Sequence, residues 1–149
     1  DGALRIRTAS ALPAGPARTR LLDQAIGDFE ATDGTRPYWG EAKAATAFAY
    51  ALRDGPAAPE TLAAFRQSYA DAPYLDRSSR WRVSFGLANW RLLDAATRMH
   101  VLDETIWLAR ANQRSLDWVT PLVRASDGYR AFQLRWVETR RRDPGFDPR

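Results

Sequence analysis

The chain has 149 residues, a net charge of +4, one histidine, six tryptophans and no cysteine. That length fits one domain with a sizeable core, and 45% apolar with 11% aromatic content argues against disorder. Disulfides, thiolate metal sites and cysteine nucleophiles are excluded, and no apolar run approaches the ~20 residues that cross a bilayer.

Residues 1–17 show no helical period. Leu4 and Ile6 alternate with Arg5 and Arg7, which predicts a short extended arm, and Pro13, Gly15 and Pro16 then break the chain. The spacing of Leu22, Ala25, Ile26 and Phe29 predicts a helix over residues 19–32, stopped by Asp33 and Gly34. Pro37 opens a second helix that runs to about Arg53, with Ala42, Ala45 and Ala49 beside Trp39, Phe48 and Leu52. Pro59 and Glu60 open a third, with Leu62, Phe65 and Tyr69 inward, and Pro73 closes it.

Residues 79–93 are the stretch around which the chain is expected to be organised. Asp76 precedes it as an N-cap. Trp81, Phe85, Ala88 and Leu92 form one apolar stripe, and Val83, Leu87 and Trp90 form another on the opposite side. A helix apolar front and back packs between layers. Arg80, Ser84 and Arg91 fall on one polar flank, Arg82 and Asn89 on the other. Asp94 caps a helix from Ala95 to about Ala111, with Met99, Leu102, Ile106 and Ala109 toward the core. Ser115 caps a shorter helix holding Leu116, Val119, Leu122 and Val123, in which Pro121 predicts a kink. The last helix follows Asp127 and Gly128, with Tyr129, Phe132 and Trp136 inward and Arg140, Arg141 and Arg142 at its C-terminus, where cations suit the macrodipole. The expected architecture is all-α: about seven helices as stacked antiparallel hairpins or an irregular bundle. One helical domain over 18–142 would then lie between the arm and a mobile tail over 143–149.

A repeat is visible. Phe29 and Phe65 are 36 residues apart, as are the pairs Pro37-Tyr38 and Pro73-Tyr74. A period in the thirties marks helix–turn–helix repeats. Here the chain resembles the tetratricopeptide repeat family: Ala25, Phe29 and Pro37 match the second-helix half of the motif, Thr61, Phe65 and Pro73 repeat it, and Phe48, Ala49 and Leu52 fit a first helix. It departs in having Ala45 where the motif prefers tryptophan, in its period of 36, and in Val101 and Ala109 where a third unit would place Phe and Pro. The resemblance covers roughly residues 19–90. It implies helix packing and a concave groove for a protein or peptide, and it transfers no catalytic residue. The Arg- and Trp-rich second half also looks like accessory proteins of bacterial exopolysaccharide systems.

No constellation points to a reaction. His100 with Glu104 at i, i+4 and Asp103 beside them supplies too few ligands for a metal site, so no metal or cofactor is expected. No Gly-x-Ser-x-Gly elbow and no phosphate-binding glycine loop occurs. Asp23, Asp28, Asp71, Asp76, Asp94 and Asp103 offer carboxylates, most of them readable as caps or exposed faces. Trp39, Trp107 and Trp118 are candidates for stacking on sugar rings, with packing the commoner use.

Residues 1–75 carry a net charge of −1 and residues 76–149 carry +5, nearly all the bases being arginine. A GC-rich genome explains that bias blandly; an anionic partner explains it sharply. Nucleic acid is disfavoured, because the tryptophans fall at core spacing and aspartates interrupt the arginines. The expectation is a non-catalytic helical-repeat module that binds a protein or peptide, within a bacterial envelope or polysaccharide assembly. Its predicted contact residues are Glu41, Lys43 and Arg53 on one helix and Arg80, Ser84 and Arg91 on another. The alternative is an accessory module for an anionic polymer, polysaccharide or nucleic acid. That alternative weakens if the arginines pair with the chain's own aspartates. The start at Asp1 reads as a processed or trimmed form, which leaves periplasm and cytoplasm both open.

Overall fold

Pro16 and Pro59 each stand as the first residue of a helix in the computed structural model, which describes residues 2–33 and 40–143. A first-turn N–H has no intrahelical acceptor, so proline there costs nothing. The chain is all-α. Its helices are α1 (Gly2–Ser10), α2 (Pro16–Asp33), α3 (Gly40–Asp54), α4 (Pro59–Asp71), α5 (Ser79–Ala88), α6 (Ala95–Ala111), α7 (Gln113–Ala125) and α8 (Tyr129–Arg142), with a 3-10 turn at Trp90–Leu92. Among the described residues there is no strand, and no helix is long and apolar enough to cross a membrane. The helices group into two compact units, Asp1–Ser78 and Ser79–Arg149.

In the first unit the helices pack in chain order, α1 on α2, α2 on α3 and α3 on α4. Ile6, Ala9, Leu22, Ala25, Ile26 and Ala49 form a buried cluster, with Phe29, Phe48 and Leu52 against it. The extended arm expected over 1–17 is instead largely helical. Its alternation spans too few residues to define a strand, and the face that matters is Gly2, Ile6 and Ala9, all buried. Gly2 lets α1 approach the Phe29 ring, from which an added Cβ would lie 2.8 Å. Small residues also let α3 sit between its neighbours: Gly40, Ala42, Ala44, Thr46, Ala47 and Ala49 are all buried. A Cβ on Gly40 would meet that of Ala72 at 2.4 Å. Of the 36-residue echo, Ala25, Thr61 and Phe65 are buried and Phe29 is half-buried. Pro37, Tyr38 and Trp39 lie outside the described residues.

The second unit is built on α6, which packs against α5, α7 and α8. Asp94 caps α6 as expected, accepting the Thr97 N–H at 2.8 Å. Thr97, Val101, Leu102, Glu104, Thr105, Ile106, Leu108 and Ala109 are buried around most of its circumference, whereas Met99, expected in the core, is exposed. The helix expected over 79–93 stops at Ala88. There the Asn89 side-chain amide donates to the Phe85 carbonyl at 2.9 Å, and the chain tightens into the 3-10 turn. Val83, Phe85, Leu87 and Trp90 are buried as the two-stripe reading requires; Trp81 is only half-buried, and Ala88 and Leu92 are exposed. Gly86 brings α5 onto α6, where a Cβ would meet Val101 at 2.5 Å. The cap of α7 is Asn112, not Ser115: Asn112 accepts the Ser115 N–H at 2.9 Å, and Ser115 is buried one turn in. The helix runs through Pro121.

Candidate functional site

The α7–α8 hairpin carries an open, mostly apolar groove. Leu116, Val119, Thr120 and Val123 recur at helical spacing on α7, and Val119 and Val123 are buried. Ser126 and Gly128 turn the chain: the Ser126 hydroxyl accepts the Gly128 N–H at 3.2 Å, and the bare Gly128 Cα lies over Trp90, whose ring a Cβ would approach to 2.8 Å. On α8 the anchor is polar. Arg135 donates to both Asp103 carboxylate oxygens on α6, at 2.7 and 3.1 Å, and to Glu138 at 3.0 Å. These contacts raise the Arg135 pKa, Asp103 first. Arg110 pairs with Asp143 just beyond the last turn.

No residue of α8 is fully buried. Phe132 and Trp136, expected inward, are half-buried with ring centroids 5.6 Å apart. With Tyr129, Gln133 and Val137 they wall one side of an open groove of about 360 Å³, and Leu116, Val119, Thr120, Val123 and Arg124 wall the other. That volume falls in the ~300–1,000 Å³ range of ligand sites. Val137, which lines the groove, is 46% exposed, and Leu134, three residues before it on α8, is 75% exposed. Sequence periodicity held the signal: Leu134 is two residues from Phe132, about 200° around the helix, so both cannot face one core.

Charge is distributed unevenly on this hairpin. Residues 113–143 hold seven arginines and four carboxylates. Three of those carboxylates are taken by arginine: Asp127 by Arg91, Asp143 by Arg110, and Glu138 by Arg135 and Arg142. The fourth, Asp117, accepts from Gln113 at 2.7 Å. Among the described residues Arg114, Arg124, Arg130, Arg140 and Arg141 make no ion pair.

The six predicted contact residues divide between the units. In the first unit Glu41 accepts the Arg77 N–H at 3.1 Å and the Ser78 hydroxyl. Arg53 donates to Asp23 at 2.6 Å and to Asp54, and lies over the Tyr50 ring. These bonds, Asp54 first, push its pKa up. Lys43 lines a cavity of about 370 Å³ with Glu30, Tyr50 and Glu60, where burial and a hydrogen bond to Glu30 raise the Tyr50 pKa. In the second unit the Arg80 guanidinium lies 5.1 Å from the centre of the Trp118 ring. Ser84 lines a cleft with Leu87 and Pro121. Arg91 makes a two-pronged contact to Asp127 at 2.7 and 2.9 Å. It raises the Arg91 pKa and lowers that of Asp127. Arg53, Arg91 and Glu41 are therefore engaged within the chain.

Two polar residues read as surface positions are in the core. Arg82 and Glu104 are both 0% exposed; Arg82 Nε donates to Glu104 at 3.0 Å, and a second guanidinium nitrogen donates to the other carboxylate oxygen. Glu104 is thus turned into the α5–α6 interface while His100, one turn earlier, is exposed. Among the described residues no group of three His, Asp or Glu side chains could hold a metal ion. Trp107 is exposed, Trp118 half-buried under Arg80, and Trp39 outside the described residues.

Comparison of the chain with known protein families, with curated proteins and with solved structures found no match.

Proposed function

We propose that this chain is a non-catalytic helical module that binds a partner protein through the α7–α8 groove, taking an apolar segment that carries carboxylates. The observation that carries this reading is the open apolar wall of α8, Phe132, Trp136 and Val137, near Arg124, Arg130, Arg140 and Arg141, which make no ion pair among the described residues. A monomeric surface seldom keeps large contiguous apolar patches without a use. In this reading the first unit is a repeat-type scaffold of tetratricopeptide character, supported by its helices packing in chain order and by the buried Ala25, Thr61 and Phe65.

The anionic-polymer reading draws on the same arginines. Against it, Arg53, Arg82, Arg91, Arg110 and Arg135 are held by the chain's own carboxylates.

The test compares two baits, the wild-type chain and Leu134→Asp/Val137→Asp. Both sites are exposed, so the variant should keep its circular dichroism and melting temperature. A partner captured by the first bait and lost by the second supports the reading. Capture of the same proteins by both baits would place binding elsewhere.

A further inference from the structure

We infer that the occupant of the α7–α8 groove is an amphipathic α-helix whose carboxylates lie along the α8 side; this rests on the groove being a protein-binding site. The groove is walled by two helices over residues 116–124 and 129–137. At ~1.5 Å per residue each wall is about 12 Å long, roughly two helical turns. That length suits three anchors at i, i+3 or i+4, and i+7 of an entering helix, the spacing by which grooves receive helices. The walls supply aromatic and aliphatic side chains rather than unpaired backbone edges, so an extended strand would find no ladder to join.

The rims differ in charge. Along α8, Arg130 and Arg141 stand seven residues before and four after the groove-lining Val137, on its side of the helix, and Arg140 follows Trp136 by one turn. No acid on the described chain pairs with these three. The α7 rim is mixed, with Arg124 near the turn and Asp117 toward the other end. A helix carrying acids on one flank and neutral or basic residues on the other matches this pair of rims. Guanidinium groups hold carboxylates through two parallel bonds, which would fix the helix in register. The concavity favours such a rod over a flat lipid surface, which would rest on the rims and leave the groove floor uncovered.

The probes are two synthetic amphipathic peptides, each a labelled 16-residue helix with Leu at i, i+4, i+7 and i+11, about four turns by the same geometry. One carries Glu on a single flank and the other carries Lys there. Binding to the full chain is read by fluorescence anisotropy. The acidic helix should bind at least tenfold more tightly, and its affinity should fall as salt rises. Arg130→Glu/Arg141→Glu should abolish that preference, while Leu134→Asp/Val137→Asp should abolish binding of both peptides. Equal binding of both peptides, lost only with Leu134→Asp/Val137→Asp, would overturn the charge assignment and leave the groove as a protein site. Binding of neither peptide would overturn the helical occupant, and the bait comparison then decides the site itself. Poly-glutamate or anionic phospholipid vesicles binding as tightly as the acidic helix, without sensitivity to Leu134→Asp/Val137→Asp, would overturn both. Dimerisation of the free chain that the same variant abolishes would make a second copy the occupant and overturn the acidic-helix assignment.

Discussion

Arg82 and Glu104 form the contact on which the second unit's polar bookkeeping turns. Both are fully buried, and each guanidinium–carboxylate bond replaces water lost by both groups. Breaking such a pair from one side strands a charge, at a cost of ~3–5 kcal/mol. Glu104→Gln and Arg82→Met should each lose about that much in urea unfolding, while Arg82→Met with Glu104→Leu should recover most of it. Single-variant losses under ~1 kcal/mol would show the pair to be solvated in solution. Arg91 and Asp127 make the opposite case. Both are largely exposed, and the Asp127 carboxyl titrates below its ordinary 3.8 because Arg91 donates to it. A lowered carboxyl stabilises the fold fully above the unfolded value, and the contribution disappears as pH falls through the folded one. The stability difference between the wild type and Asp127→Asn should therefore be flat above about pH 5 and shrink on acidification. A flat difference down to pH 2 would contradict the pairing.

Close approach between helices rests on missing side-chain atoms at named positions. Gly86 lets α5 touch α6 at Val101, where an added Cβ would sit 2.5 Å from a methyl. Gly86→Ala should cost ~1–3 kcal/mol by overpacking, and Val101→Ala in the same chain should relieve part of it. If thermal melts find Gly86→Ala neutral, the two helices are farther apart than described. The start of α7 depends on the Asn112 side chain. Asn112→Ala should cost ~1 kcal/mol, measured by the same melts. Helix α8 has no comparable device. It is held by Arg135 and by the half-buried Phe132 and Trp136, so its amides should exchange faster than those of α6. Hydrogen exchange followed by NMR reads this directly, and equal protection of the two helices would count against an open α8 face.

At the scale of the whole chain, each unit encloses its own buried set: the Ile6–Ala49 cluster in one, and Val83, Val101, Leu102, Ile106 and the Arg82–Glu104 pair in the other. A chain cut between Ser78 and Ser79 should yield fragments that remain helical by circular dichroism, each melting below the full chain, since small cores are marginal. Loss of all helical signal from 79–149 would mean that its compactness depends on the rest of the molecule. The expected contact set joined Glu41, Lys43 and Arg53 to Arg80, Ser84 and Arg91 through the repeat resemblance, and these residues fall in different units.

Local regularities were sufficient for the all-α class, for seven of the eight helices among the described residues and for the Asp94 cap, since each is written within a few turns of chain. The groove was half legible: Phe132, Trp136, Leu116 and Val119 were recognisable as apolar faces, but how much of each face is covered depends on the neighbour that reaches it. Helix α1 escaped detection because its buried face is Gly2, Ile6 and Ala9, two of them too small to register as apolar. The burial of Arg82 with Glu104 needed tertiary structure for a stronger reason. Either residue alone reads as surface, and only their meeting across 22 residues of sequence makes the interior habitable for both charges.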